Sequence, residues 1–431
     1  MVFLDSQAPI PHHAAMAGSA PISPLKRLHY GWVIVAIGSL VLFSCFGLAR
    51  YAYAMLIPTM QTGLNLSYDR MGFIGTGNFI GYLVSVVLAP PVMRRLKPRA
   101  TIASGLALLS LCMLGISAST GFATAFCLYA LVGFGSGFAN IPMMALVTYW
   151  FRSEKRGRAA GLIIGGNGVG IILAGFLVPF LNRVYGADGW RYGWLLLGLL
   201  CLAVAGVAAL FLRNNPGELG LEPMGKPVQP ASGQFVDREK RGDGAVLLSL
   251  GLLYLVFGAT FMVYGTFIVT TMVKEYGFSE AKAGLYWSWV GFFSLFSGVG
   301  FGALSDRIGR KWGLALVFLV QTIAYLLAGL KLGNVPLLIS IVLYGLAVFA
   351  IPAIMAAAIG DYLGLSRAAT AFATVTLFFA LGQSIGPATA GLIAKTFGSF
   401  GNAYLLAGVL TAVAALFAAT LPHPRAERDG A

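Results

Sequence analysis

The sequence predicts an all-α, polytopic membrane protein with twelve transmembrane helices in two pseudo-symmetric six-helix bundles. Three observations carry that prediction. The mean hydropathy is +0.82, with 58% hydrophobic and 10% charged residues, whereas a soluble domain carries roughly 25% charge. The apolar runs are roughly 20 residues long, the length a helix needs to cross roughly 30 Å of hydrocarbon, which excludes strands and barrels. The chain also repeats itself. Ser67 and Gly72 recur as Ser279 and Gly284, both displaced by 212 residues. Gly166-Asn167-x-x-Gly170-x-x-x-x-Gly175 recurs as Gly382-Gln383-x-x-Gly386-x-x-x-x-Gly391, displaced by 216. Among 56 glycines a glycine match alone could be chance; an amide at the same place in the same frame is harder to obtain that way. Two parallel halves enclosing a central site are a common plan of secondary transporters.

The first 29 residues are rich in Pro and Ala without apolar periodicity and read as a disordered tail. They are not a cleavable signal, because the apolar run after Lys26 and Arg27 is too long and lacks a cleavage pattern. The first half, 30–213, holds apolar spans at 32–57, 71–93, 100–119, 122–150, 159–181 and 193–212. The interval 214–245, with Arg213 at its edge, balances five basic against five acidic residues among Pro and Gly, which suits a mobile linker. The second half, 246–422, holds spans at 246–273, 281–304, 313–331, 336–359, 370–394 and 402–421. A short polar tail, 423–431, closes the chain.

Charge sets the expected orientation. With the N-terminus cytoplasmic, 21 Lys and Arg fall inside, 7 outside and one, Arg50, within a span, together the 29 of the chain. The loops bearing Arg94, Arg95, Lys97 and Arg99 and then Arg152, Lys155, Arg156 and Arg158 carry that bias, as the positive-inside rule requires. Both termini are expected in the cytoplasm. The net charge of +14 is then a consequence of topology and of anionic headgroups, and no basic run with interleaved aromatics points to nucleic acid. Cys45, Cys112, Cys127 and Cys201 lie in apolar spans without paired spacing and read as small hydrophobes.

Arg50 is the most informative single residue. It sits about two thirds along the first span with no acidic residue inside any span to pair with, and costs several kcal/mol there unless it faces protein or water. A cavity-facing guanidinium binds a carboxylate bidentately; a guanidinium near a span end instead snorkels to the headgroups. A displacement of 211 matches Phe46-Gly47 to Phe257-Gly258 and Tyr53 to Tyr264, and sets Phe261 opposite Arg50. Tyr53, three residues on, shares the helical face and offers a hydroxyl beside the guanidinium. Other polar groups in the spans are Asn78, Asn140, Asn167, Gln383, Tyr264, Tyr344, Thr374 and Ser384. Arg50, Tyr53, Asn140, Asn167, Tyr264 and Gln383 form the candidate binding set, although each amide could equally serve as packing glue between helices. Pro142, following Asn140-Ile141, removes a backbone donor and is expected to interrupt the fourth span. Trp287 and Trp289 either line the cavity or pack. Gly165-Gly-Asn-Gly-Val-Gly170 is not a phosphate loop, because no strand precedes it.

Gly302-Ala-Leu-Ser-Asp306-Arg307-Ile-Gly309-Arg310-Lys311 resembles the loop that joins the second and third helices of each half in the major facilitator superfamily, and it falls between the eighth and ninth spans, as expected there. The resemblance implies the twelve-helix fold and a conformational gating role for Asp306, Arg307, Gly309 and Arg310. Physically, Asp306 could accept hydrogen bonds from a neighbouring helix N-terminus while the arginines bind carbonyl ends or acidic partners, contacts that exist at one helix tilt only; the alternative is that the cations merely satisfy topology. In the first half Arg94 stands opposite Asp306 and Lys97 opposite Gly309, so that copy is degenerate. Gly47-x-x-Arg50-Tyr-x-Tyr53-x-x-x-x-Pro58 is similar to a poorly characterised bacterial group of the superfamily and, more loosely, to its organic-acid porters.

The expected function is secondary transport by alternating access of a small organic anion, such as a monocarboxylate or aromatic acid, across a bacterial plasma membrane by a monomer in the lipid bilayer. Efflux of an amphipathic or neutral compound is the alternative, and a receptor or scaffold without transport the second. No enzyme is expected: His12, His13, His29 and His423 lie outside the spans, so no Ser-His dyad or His-ligated metal site forms within them. No cofactor, metal or catalytic residue is expected. The absence of Asp and Glu from the spans leaves only Asp69 and Asp361, at span ends, as proton carriers besides the substrate itself.

Overall fold

The computed structural model describes residues 29–225, 243–364 and 367–422. The expected N-terminal and C-terminal tails, with His12, His13 and His423, and linker residues 226–242 lie outside them. Ten apolar helical segments are long enough to cross a membrane, and two of these hold two crossings each. The segment Tyr68–Ser117 has 50 residues, about 75 Å of helix at 1.5 Å per residue, far more than the bilayer core. It is broken at Lys97, whose φ and ψ of 62° and 158° are not helical. Glu154–Phe211 is broken by the 3-10 turn Gly186–Asp188.

Twelve crossings result: α1 Gly31–Gly63, α2 68–96, α3 98–117, α4 Phe122–Trp150, α5 Ser153–Tyr185, α6 Gly189–Phe211, α7 Asp243–Lys274, α8 Glu280–Ile308, α9 Arg310–Gly329, α10 Asn334–Leu363, α11 Ala368–Phe397 and α12 Gly401–Ala419. Most extend a few residues past the apolar runs, because helices continue into the headgroup layer where polar side chains are solvated. Pro142 does not end α4, which runs continuously through it. The fourth span is not interrupted there; prolines are tolerated within membrane helices. Instead α10 breaks at 348–349, where the Phe349 N–H is taken by Ser297 Oγ of α8 at 3.0 Å.

The repeat is a packing device. A Cβ on Gly166 would fall on the Ser39 carbonyl and the Phe43 nitrogen of α1; one on Gly382 would fall on the Leu255 carbonyl and the Ala259 nitrogen of α7. The seams between the halves nevertheless repeat at 212, since Gly72 meets Pro387 and Gly391 where Gly284 meets Gly175 and Pro179, so the 216 glycine match is one helical turn out of register. The 211 match of Phe46-Gly47 to Phe257-Gly258 agrees with the structure: the Tyr129 hydroxyl donates to the Arg50 carbonyl and the Tyr344 hydroxyl to the Phe261 carbonyl, so Phe261 takes the place of Arg50. Residues Phe43–Tyr51, around Arg50, form a π-helical stretch.

The remaining repeated glycines join the halves. A Cβ on Gly72 of α2 would meet Pro387 and Gly391 of α11, and one on Gly284 of α8 would meet Gly175 and Pro179 of α5. Close backbone approach of small residues is the principal means of helix association in lipid. Polar contacts reinforce these seams at the same end: Lys395 to Asp69 at 2.9 Å, Asn182 Nδ2 to Glu280 at 2.6 Å and Thr76 Oγ1 to the Ser384 carbonyl at 2.8 Å. Among the described residues no hydrogen bond or ion pair joins the halves at the end bearing the basic loops. The glycine seams and polar contacts described between the bundles thus gather at one end.

Part of the expected mobile linker is held in place. Met224 bridges Phe151 as a short parallel pair, Arg152 binds Glu222 at 2.8 Å, and Asn214 accepts the Arg99 N–H at 2.9 Å. Glu222 of the interval thus finds its partner on the 150–158 loop, a tertiary contact that composition does not encode.

Candidate functional site

Arg50 is buried, 9% exposed, and does not snorkel. Its helix is locally π-helical, so some carbonyls lose their regular partners, and α4 and α6 supply replacements. Ser136 Oγ donates to the Cys45 carbonyl at 3.1 Å, Cys201 Sγ to the Ser44 carbonyl at 3.8 Å, and the Tyr129 hydroxyl to the Arg50 carbonyl at 3.4 Å. Donors of this kind are what a non-α segment needs inside a membrane.

Three aromatic faces surround the guanidinium, with the Phe46, Phe79 and Tyr82 ring centroids 4.5, 4.8 and 4.8 Å from its central carbon. Each such contact is worth about 0.5–2 kcal/mol, the higher figure when desolvated. Arg50 Nε donates to Asn78 Oδ1 at 3.3 Å, and Asn78 Nδ2 is held by the Tyr129 carbonyl at 3.2 Å. Nη2 is buried without a hydrogen-bond partner, and no carboxylate approaches the guanidinium among the described residues. A permanently charged group is thus held by rings and one amide while its two-nitrogen edge stays unpaired. That edge matches a carboxylate bidentately.

The structure brings together part of the expected set. Asn140 joins through Tyr82, its Nδ2 3.1 Å from the Tyr82 hydroxyl. Tyr53 lines, with Arg50, Phe79, Tyr129, Met262 and Thr266, a cavity of about 10 Å³, about one water in size. The Tyr53 hydroxyl does not serve the guanidinium: it donates to the Met71 carbonyl at 2.8 Å, and the ring stacks against Tyr129 and Trp194. Tyr264 lies apart, fully buried in the second bundle with its hydroxyl 2.8 Å from Ser340 Oγ.

Asn167 and Gln383 are buried on α5 and α11, and each has a side-chain oxygen without a partner. Both lie beside glycine contacts of their bundles, but by the 212 displacement of the seams they are one helical turn out of register, with Phe379 at the place of Asn167. Trp287 is buried and Trp289 part-exposed against Tyr286. Sequence reasoning missed Phe46, Phe79 and Tyr82 and left Asn78 outside the set. A legible signal existed: Phe46 and Arg50, and Asn78 and Tyr82, are each four residues apart and share a helix face.

A larger cleft of about 750 Å³ lies at the end where those seams gather, lined by Pro58, Thr62, Phe176, Phe180, Lys274 and Glu280 among others. It lies beyond the seam of Gly175 and Gly284 and does not include Arg50.

At the basic end, Gly309 takes φ +89° and ψ 150° to turn α8 into α9, and Lys97 takes φ 62° and ψ 158° at the matching place. Asp306 does not reach a neighbouring helix N-terminus, as expected from sequence. Its carboxylate accepts from Arg310 on the first turn of α9, which lies closer. Arg310 Nε also binds Asp361 of α10 at 2.6 Å, so Asp361 is engaged in an ion pair. Arg307 is exposed with no partner among the described residues. These contacts tie α8, α9 and α10 within one bundle.

Residues 42–419 match the model of a family described as "Uncharacterised MFS-type transporter YbfB". The chain belongs to this major facilitator superfamily family. Relatives are distant in sequence but match over nearly full length. A hexuronate transporter of Bacillus subtilis is 23% identical, covering 86% of this chain and 89% of its own. Human monocarboxylate transporter 2 is 22% identical, covering 93% and 87%. Among solved structures, a D-xylose–proton symporter shares the fold with a TM-score of 0.73 at 19% identity, covering 91% of this chain and 98% of that one. A bacterial homologue of the lysosomal transporter Spinster does so at 0.70 and 16%, covering 90% and 96%. The protein is a multi-pass membrane transporter of the major facilitator type, and its relatives are transporters, not enzymes.

Proposed function

We propose that this transporter carries a small organic anion, such as a monocarboxylate or aromatic acid, whose negative group sits on the unpaired edge of Arg50. The single observation that carries the reading is a buried guanidinium with three aromatic faces, one amide and no carboxylate. Such a site lacks a counter-charge, so an arriving anion gains both hydrogen bonds and Coulomb attraction in a low-dielectric setting. The names of two relatives, a hexuronate and a monocarboxylate transporter, agree with an anionic cargo. Asn78, Tyr82 and Asn140 orient the site. Asn167 and Gln383, with their free oxygens, are proposed to contact substrate or water as the bundles move, while Tyr53 and Tyr264 act through packing.

In this reading the end with the basic loops, and both termini, face the cytoplasm by the positive-inside rule, and the protein is a monomer in a bacterial plasma membrane in an inward-open state. The Asp306, Arg307, Gly309 and Arg310 loop is proposed to stiffen one face of the C-terminal bundle and thereby set the ease of closure at the cytoplasmic end. Binding of benzoate, pyruvate and glucuronate to the purified protein tests the anion assignment. Tight binding of at least one, lost in Arg50→Gln with expression retained, is the expected result. An Arg50→Gln protein that binds and transports like wild type would make Arg50 a structural cation and favour a neutral cargo.

A further inference from the structure

The two faces of the central region differ in chemistry. The only span-centre charge and its polar helpers belong to α1, α2 and α4. Across from them, residues 246–273 of α7 and 370–394 of α11 contain no charged residue. They contribute rings instead. Tyr254 and Phe379 stack at 4.5 Å and 15°, Phe257 and Phe261 at 4.7 Å and 8°, and Phe257 and Phe379 lie 5.6 Å apart at 11°. The four rings are nearly parallel and form one slab. Tyr254, Phe257 and Phe261 are buried, whereas Phe379 is part-exposed.

The slab flanks the Arg50 site. The same helix α7 gives Met262, Gly265 and Thr266 to the small cavity beside Arg50. Several hydroxyls on this side are already engaged, while the Gln383 side-chain oxygen is without a partner. Tyr344 donates to the Phe261 carbonyl at 2.9 Å, Tyr264 bonds Ser340, and Thr260, Thr374 and Ser384 bond carbonyls of their own helices. A ligand body lying here finds ring surface and few free hydrogen-bonding groups.

We propose that the slab of Tyr254, Phe257, Phe261 and Phe379 reads the body of the anion and selects a flat, apolar one, so that the substrate is an aromatic carboxylate rather than a polyhydroxylated acid. The proposal rests on the reading of Arg50 as the anion site. A planar ring slides parallel to the slab while its carboxylate meets the guanidinium, with a gain of roughly two- to tenfold from ring-on-ring geometry beyond area alone. Each sugar hydroxyl set against the rings without a partner costs roughly tenfold in affinity.

The test is a binding series on purified full-length protein with benzoate, cyclohexanecarboxylate, glucuronate and neutral benzamide, in wild type, Arg50→Gln, Phe379→Leu and Phe379→Tyr. Benzoate is expected to bind more tightly than cyclohexanecarboxylate and at least tenfold more tightly than glucuronate. Phe379→Leu should erase the preference of benzoate over cyclohexanecarboxylate while both remain dependent on Arg50, and Phe379→Tyr should keep that preference and so show that the position tolerates change. Glucuronate binding as tight as benzoate, or an equal effect of Phe379→Leu on all anions, overturns the slab as a reader and leaves the Arg50 site standing. Benzamide binding as tight as benzoate, or Arg50→Gln without effect, removes the anion site itself and the slab proposal with it.

Discussion

At the scale of single residues, Arg50 and Lys97 both occupy places that their side chains alone would not choose. Arg50 is stabilised by rings and an amide, so removing it relieves burial of an unpaired charge while abolishing the anion site. Arg50→Lys keeps the charge without the fork and should weaken benzoate binding roughly tenfold; Arg50→Gln should weaken it by roughly a hundredfold, the scale of one or two charge-assisted hydrogen bonds. Isothermal titration of each variant is the check. Lys97 holds a backbone conformation that is essentially reserved for glycine, at a cost of about 1–3 kcal/mol. Lys97→Gly should therefore raise the unfolding midpoint in detergent, unless a contact of the lysine side chain offsets the strain; an unchanged or lower midpoint would refute the strain account.

Between elements, the repeated glycines set how closely helices approach. Gly166 and Gly382 lie against carbonyls of α1 and α7, where a side chain has no room. Gly166→Leu and Gly382→Leu should each destabilise by about 1–3 kcal/mol through overpacking, seen as loss of monodisperse protein on heating. Equal tolerance of Leu and Ala at both sites would show that the close approach is not needed. The repeat was readable because a glycine frame is local in sequence. Its register was not: the 216 frame is one turn away from the 212 displacement with which Gly72 and Gly284 meet the opposite halves, because glycines a turn apart look alike in sequence and only the helix contacts choose between them. The position of Pro142 illustrates the same limit, since a proline marks a missing donor but neighbouring helices decide whether the helix ends. In the gating loop, Gly309 was legible from its motif. The pairing of Arg310 with Asp361 required α10 to be placed beside α9.

For the molecule as a whole, the seams between the bundles determine which state is populated. Lys395 to Asp69 and Asn182 to Glu280 span the halves, on opposite seams. The lysine head is more than half exposed, so the ion pair contributes up to about 1 kcal/mol, enough to shift a two-state equilibrium severalfold. Asp69→Asn should favour the alternative state, and a cysteine in place of Thr76, buried in this seam and similar in size, should react faster with a water-soluble maleimide in that variant; labelling at the wild-type rate would exclude the pair as a latch. The sequence by itself determined that the chain spans a membrane, that it does so twelve times in two related halves, and that Arg50 is the exceptional charge. Those features follow from the cost of unsatisfied polar groups in hydrocarbon and need only apolar run length, loop charge and periodic glycine. Tertiary structure alone decided which of 30 Phe and 17 Tyr surround Arg50, that Tyr53 turns its hydroxyl to Met71, and at which end the contacts between the bundles gather. Each depends on the rotation of one helix against another, which is fixed by side-chain packing across the bundle and leaves no periodic trace along the chain.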